Sequence, residues 1–194
     1  MMDTNLEDIT VFLDRDGTVN HDSGYITSPT ELVLLPGVVE GIARLKQGGS
    51  RVVLITNQSG IARGLFTEDD LSMIHRKLER ELEMQGVSLD GIFFCSHHPD
   101  DACQCRKPKP GLIQQAIQQL NLNVSRSYYV GDKVIDMKLA NTVGSKAVLV
   151  MTSGFSQEAV QAIENHQIQV AFVASNFSEA TTWILQDALK LKGS

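Results

Sequence analysis

The chain is 194 residues long, 42% hydrophobic and 21% charged, enough to bury the core of one ordinary α/β domain without covalent staples. A formal net charge of −6 argues against nucleic acid as a partner, because phosphate backbones are held by clustered Lys and Arg. No apolar run approaches the roughly 18 residues of a membrane span. The acidic opening MMDTNLEDIT has neither a basic flank nor an apolar stretch, so neither a membrane partner nor a secretory signal is expected and the cytoplasm is the expected compartment.

In chain order, short apolar runs alternate with longer amphipathic ones. The first, ITVFLD (9–14), is β-branched and aromatic and reads as a strand. PGVVEGIARLKQGG follows with Pro36 near its start, Val38, Ile42 and Leu45 on one stripe and a Gly-Gly stop, the pattern of a helix. After the strand RVVLIT (51–56), Thr67 is placed to cap a long helix with acids in its first turn and Leu71, Ile74, Leu78 and Leu82 along one face. GIFFC (91–95), SYYVGD (127–132), KAVLV (146–150) and VAFVAS (170–175) read as further strands. PGLIQQAIQQLN, VIDMKLANTVG and SQEAVQAIENHQ separate them as helices, and SEATTWILQDALKLK follows the last. Near-continuous apolar strands alternating with helices predict an α/β fold, a doubly wound, mainly parallel sheet covered on both faces. With no repeat, low-complexity tract or linker, residues 1–194 are expected to form one domain.

Such sheets bind ligands beyond the carboxyl ends of their strands, and the unusual residues fall there. The first strand ends in LDRDGTVN, where Asp14 and Asp16 flank Arg15 and Gly17 permits a sharp turn; a plain Asp-Gly turn is the competing reading. The second ends in LITNQSG, with the Thr56 hydroxyl and the Asn57 and Gln58 amides, groups that hold phosphoryl or sugar oxygens but are also common in loops. The fourth ends in YVGDKVID, where Asp132 either joins the other acids or caps the next helix. Acids from two strand ends repel one another without a cation, and Mg2+, which favours oxygen ligands, fits the need. Arg106 and Lys107 in CRKPKPG have a task if the substrate is anionic and are ordinary surface charges otherwise.

All three cysteines crowd into CSHHPDDACQC (95–105). An odd number of thiols in a reducing compartment is a poor disulfide framework, and Cys103-x-Cys105 lacks the two-residue spacer of thioredoxin-type redox pairs. Cys95, His97, Cys103 and Cys105 have the number and type of a closed tetrahedral zinc site, which folds a loop too polar to fold by itself. His21, His75 and His166 have no such cluster around them and read as surface or core residues.

Asp14-x-Asp16-Gly-Thr, Thr56-Asn57, Lys107 and Gly131-Asp132-x-x-x-Asp136 together resemble the ordered motif set of the haloacid dehalogenase superfamily of phosphohydrolases. LDRDGTVN, GYIT, TNQSGIARGLFTEDDL, CSHHP…CQCRKPKPG and VGDKVIDM are similar to the D-glycero-D-manno-heptose 1,7-bisphosphate 7-phosphatase family, over roughly residues 10–150. That family is itself similar to histidinol phosphatases.

The resemblance implies a Mg2+-dependent phosphatase that hydrolyses a sugar phosphate, the 7-phosphate of heptose 1,7-bisphosphate, through an aspartyl-phosphate. Histidinol phosphate or another small phosphoester is the alternative substrate, and a non-catalytic zinc-stapled phosphate-binding protein is the third reading. By the resemblance, Asp14 is the nucleophile, Asp16 the acid and then the base, and Thr56 and Asn57 bind phosphoryl oxygens while Lys107 neutralises them. Mg2+ would lie on Asp14, the Asp16 backbone carbonyl and Asp132, and the zinc on His97 rather than the adjacent His98. Asp136 and Lys133 are expected in support. The spacing from Asp14 to Thr56 and on to Lys107 leaves no room for a cap domain. Loops carrying Gly24, Tyr25, Gln58, Ser59, Arg63 and Arg106, with Lys133, are therefore expected to form the substrate end of a monomeric enzyme.

Overall fold

The computed structural model describes residues 8–190; residues 1–7 and 191–194, which the single-domain expectation included, lie outside the described residues. The apolar runs become β1 (Thr10–Leu13), β2 (Arg51–Asn57), β3 (Gly91–Cys95), β4 (Ser127–Gly131), β5 (Lys146–Val150) and β6 (Phe172–Ala174). Every pairing is parallel, in one sheet of order β3-β2-β1-β4-β5-β6. The helices are α1 (Val38–Gln47), α2 (Glu68–Glu83), α3 (Gly111–Leu120), α4 (Val134–Val143), α5 (Ser156–Glu164) and α6 (Phe177–Lys190). Thr67 caps α2 as its sequence predicts: the hydroxyl accepts from Asp70 N at 3.1 Å while the Asp70 carboxylate accepts from Thr67 N at 2.8 Å.

Alternation along each strand divides the core between the two faces of the sheet. Val11, Leu13 and Leu54 point to one side and meet Ile42, Leu45, Ile74, Leu78 and Ile184 of α1, α2 and α6. Phe12, Val53, Ile55, Tyr129 and Leu149 point to the other and meet Leu112, Ile113, Met137 and Leu139 of α3 and α4, with Ala159 of α5. Each fully buried aliphatic or aromatic side chain stabilises the sheet by about 1.5–3 kcal/mol, and truncating one such as Leu54 to Ala costs about 2–5 kcal/mol.

Sheet order reverses between β1 and β4, so the carboxyl ends of these neighbours open a crevice, the usual ligand site of such sheets. The chain leaves β1 one residue before Asp14, whose N–H still donates to Val130 O of β4 at 3.0 Å. Residues 14–37 then fold back as a short flap tied by single bridges between Asp16 and Asn20 and between Asn20 and Leu34. Among the described residues nothing forms a separate cap over this crevice, and no helix is long and apolar enough to cross a membrane.

Candidate active site

The ends of β1 and β4 bring three carboxylates together. Asp14, Asp132 and Asp136 are 4%, 0% and 0% exposed, and each offers an oxygen within 4.8 Å of the others. Close approach depends on Gly17, whose φ of +91° suits glycine and where a Cβ would lie 2.3 Å from Asp132 Oδ2. Asp132 is aimed from both sides: Thr18 Oγ1 donates to its Oδ1 at 3.1 Å and Ser153 Oγ to its Oδ2 at 2.5 Å.

Lys107 enters from the segment between the cysteines and α3. Its ammonium donates to Asp14 Oδ1 at 2.7 Å, Asp136 Oδ1 at 2.8 Å and Ile55 O at 3.0 Å, and it lies 5.8 Å from the centre of the Tyr129 ring. Asn57 holds that segment at the end of β2 by a two-point contact, its Oδ1 accepting from Lys107 N at 3.0 Å and its Nδ2 donating to Lys107 O at 3.3 Å. The Asn57 side chain is thus bound to Lys107 rather than turned into the crevice. Thr56 is buried beside it, its hydroxyl accepting from Gln58 Nε2 at 2.8 Å.

Asp16 is held apart from the three acids. Its oxygens accept from Arg15 Nε at 3.0 Å, Arg15 Nη2 at 2.9 and 3.0 Å, Asn20 Nδ2 at 3.0 Å and Gln58 Nε2 at 2.9 Å. Burial raises its pKa, but the Arg15 charge and these donors outweigh burial and hold Asp16 below the usual carboxylate range. Asp14 behaves oppositely: burial and then Asp136 push it up to about 7 against the pull of Lys107 and Lys133. Burial likewise pushes Asp132 to about 6. Lys107 stays protonated because Asp136 and Asp14 outweigh the cost of its burial.

Raised carboxylate pKa values mark a site short of positive charge, and buried oxygen ligands in a tight group suit a hard dication such as Mg2+. A cation already stands on one expected ligand, since Lys133 Nζ donates to the Asp16 backbone carbonyl at 3.1 Å and to Asp22 Oδ2 at 2.8 Å. Asp14, Asp132 and Asp136 are the group whose spacing suits the ion, while the Asp16 carbonyl, the other expected ligand, is met by Lys133.

Cys95 ends β3, and Cys103 and Cys105 return to it after a single 3-10 turn at Pro99–Asp101. The sulfurs lie 3.7, 3.1 and 3.5 Å apart, and His97 Nδ1 lies 3.5 Å from Cys95 Sγ and 3.1 Å from Cys105 Sγ. None is in a disulfide. Ligands at about 2.3 Å around a tetrahedral zinc stand about 3.8 Å apart, so this slightly contracted cluster fits zinc. His98 turns away and bonds to Asp100 and Asp101.

The remaining expected residues line the approach. Ser59 is buried at the start of a turn whose Arg63 is exposed and donates its N–H back to Ser59 O at 3.1 Å. Tyr25 is 46% exposed, and Gly24 N donates to Asp22 Oδ1 at 3.0 Å. Arg106 lines a cleft of about 270 Å³ with Cys103, Lys107 and Lys109, and its Nη1 is buried without a hydrogen-bond partner. Sequence reasoning does not find Asp22, Ser153 and His75, which act through partners distant in sequence, with only the position of Ser153 just past a strand end as a signal; Arg15, between the two acids, contacts its neighbour Asp16 and is flagged by that position alone.

Residues 104–180 match the profile of the HAD-hydrolase-like family. A D-glycero-β-D-manno-heptose-1,7-bisphosphate 7-phosphatase of Yersinia pestis is 47% identical over 73% of this chain and 80% of its own length. The Escherichia coli K12 protein of the same name is 39% identical over 79% and 85%. The D,D-heptose 1,7-bisphosphate phosphatase of Bordetella bronchiseptica, solved with magnesium and phosphate, superposes with a TM-score of 0.83 at 38% identity, covering 92% of this chain and 98% of that one.

Proposed function

This chain belongs to the D-glycero-β-D-manno-heptose-1,7-bisphosphate 7-phosphatase family of haloacid-dehalogenase-like hydrolases, and we propose that Asp14, Asp16, Lys107 and Asp132 divide its chemistry among them. The protein is a Mg2+-dependent phosphoric monoester hydrolase acting on the 7-phosphate of the heptose bisphosphate. Asp14 attacks phosphorus through Oδ2, because Oδ1 is engaged by Lys107 and the Arg15 N–H. The bond from phosphorus to the sugar oxygen breaks, an aspartyl-phosphate forms, and the departing oxygen takes a proton from Asp16. Asp16 then takes a proton from water, which attacks the aspartyl-phosphate, releases inorganic phosphate and restores Asp14.

Held as a carboxylate by Arg15, Asp16 is ready for the second of these roles; for the first it needs a proton, which a substrate phosphate with a second pKa near 6 can bring. Mg2+ on Asp14, Asp132 and the Asp16 carbonyl would neutralise charge on the transferring phosphoryl group when bound. Thr56 Oγ1, Asn57 N–H and Lys107 bind the phosphoryl oxygens. Gln58, Ser59, Arg63, Gly24, Tyr25, Arg106 and Lys133 surround the sugar and its second phosphate. The observation carrying this reading is the Lys107 ammonium, buried and bridging Asp14 to Asp136 beside Asp132.

The test compares kcat/KM for heptose 1,7-bisphosphate and for histidinol phosphate, with Mg2+ and after its removal by EDTA. Preference for the bisphosphate and full Mg2+ dependence are expected; equal or better turnover of histidinol phosphate would overturn the substrate assignment. The free thiols suit a reducing compartment, and the reading puts the enzyme in the cytoplasm as a monomer. Light scattering should give the 21.3 kDa of one chain.

A further inference from the structure

Arg15 is 1% exposed, and a guanidinium is not buried without partners for its donors. Two of its nitrogens grip Asp16, as described. The third, Nη1, meets His75 Nε2 at 3.4 Å, across 60 residues of sequence. Guanidinium nitrogens only donate, so Nε2 is the acceptor and the ring proton sits on Nδ1.

His75 belongs to the inner face of α2, is 8% exposed, and packs edge-on against Phe94 with ring centres 6.0 Å apart. Its ring is therefore located by packing. Burial, then the Arg15 charge, push its pKa down to about 3, so the ring is neutral and able to accept at physiological pH.

We propose that His75 is a positioning residue: it anchors Arg15 from behind and, through Arg15, sets where the Asp16 carboxylate points. The proposal rests on the reading of Asp16 as acid and base given above. Beyond Asp16 the Arg15 guanidinium has His75 as its one other side-chain partner among the described residues, so without His75 only Asn20 Nδ2 and Gln58 Nε2 remain to hold the pair in place. Misplacing a reacting group by about 1 Å costs on the order of a hundredfold in rate. A ring that touches neither substrate nor metal can therefore govern the proton-transfer step.

Leaving-group chemistry separates this role from simple structural support. A sugar alkoxide leaves only with a proton from Asp16, whereas p-nitrophenolate leaves without one, and kcat/KM reports steps up to aspartyl-phosphate formation. With Mg2+ present, His75→Leu should lose about tenfold in kcat/KM on heptose bisphosphate and less than about twofold on p-nitrophenyl phosphate. His75→Gln, whose side-chain carbonyl can accept from Nη1, should recover most of the loss. If His75→Leu does not fold, His75→Asn, whose amide is too short to reach Nη1, should show the same selective loss. Asp16→Asn is the reference. If it loses equally on both substrates, the acid–base reading fails and the proposal with it. If Asp16→Asn discriminates between leaving groups while the His75 variants lose nothing, gain rate or lose equally on both, the positioning role alone is overturned.

Discussion

The carboxylates at the ends of β1 and β4 and the sulfurs beyond β3 both converge on a cation-sized space, but they are held differently. Asp14, Asp132 and Asp136 are at most 4% exposed and stand on strand and helix ends backed by both core layers. The cysteine loop has one 3-10 turn, an exposed His97 and charged residues around it. Sheet packing builds the first group, and its burial raises the Asp14 and Asp132 carboxylates to about 7 and about 6. Of the second only Cys95 is a core residue, with Cys103 and Cys105 partly buried against it; burial and the hydrogen bonds to Cys105 and Cys103 push Cys95 up to about 12, so an ion that binds it must displace its proton. One metal is recruited by a preformed site, and the other makes its own.

The sharpest break in this comparison is Asp14→Asn. A neutral amide at a position where burial already favours the neutral acid should keep the fold and the zinc while kcat falls by at least about 10³-fold. Acid-quench trapping should find no aspartyl-phosphate, and activity within tenfold of wild type would remove Asp14 as nucleophile. The converse is Cys103→Ser, which attacks only the self-made site. Metal analysis should fall from about one zinc per chain, and Tm should drop by about 6–20 °C, as a loss of about 3–5 kcal/mol gives in a domain of this size. Phosphoenzyme formation should survive, because Asp14, Asp16, Thr56 and Asp132 stand on other strand ends and Asn57 still holds the Lys107 segment.

Sequence legibility divides along the same line. Strands were readable because apolar runs of five or six residues carry their own signal, although β1, β4 and β6 are shorter than their runs, the chain turning away at Asp14, Asp132 and Ser175. The grouping of Asp14, Lys107 and Asp132, and of Cys95, His97, Cys103 and Cys105, was readable because these residues fall in motifs. His75 was not: on a helix it looks like any core-facing residue, and only the fold brings it to Arg15. Arg15 itself, read as a spacer between two acids, proves to be the clamp on one of them.

A smaller effect sharpens the boundary between the regions. Arg106 Nη1 is buried without a partner next to the cysteines, so Arg106→Ala should leave zinc content and Tm unchanged. It should raise KM about tenfold for the bisphosphate and little for a monophosphate, the cost of one charge-assisted contact. Equal losses would assign Arg106 to the reacting phosphate.

The smallest effect is a pH term on the strand-end side. His75 is neutral when folded down to about pH 3 and protonates near 6.5 when unfolded, so the unfolded chain binds the extra proton between these values. Its contribution is intact above about pH 6.5 and is lost as pH falls toward 3. Tm measured across this window should fall less steeply in His75→Gln than in wild type, by a few degrees at about pH 4. Parallel curves would show that the ring is not held neutral.

The β1–β4 pairing has a consequence for birth on the ribosome. Thr18 and Asp132, which share a hydrogen bond, are 114 residues apart, whereas Cys95, His97, Cys103 and Cys105 all lie within residues 95–105. Cys105 is made about 26 residues before Gly131, about 1–5 s at ordinary elongation rates. A nascent chain can therefore load zinc while one edge of β1, apolar on both faces, still waits for its neighbour. During that interval the nucleophile exists without its metal site, and the exposed edge is an aggregation hazard best met by a chaperone or by fast synthesis of β4.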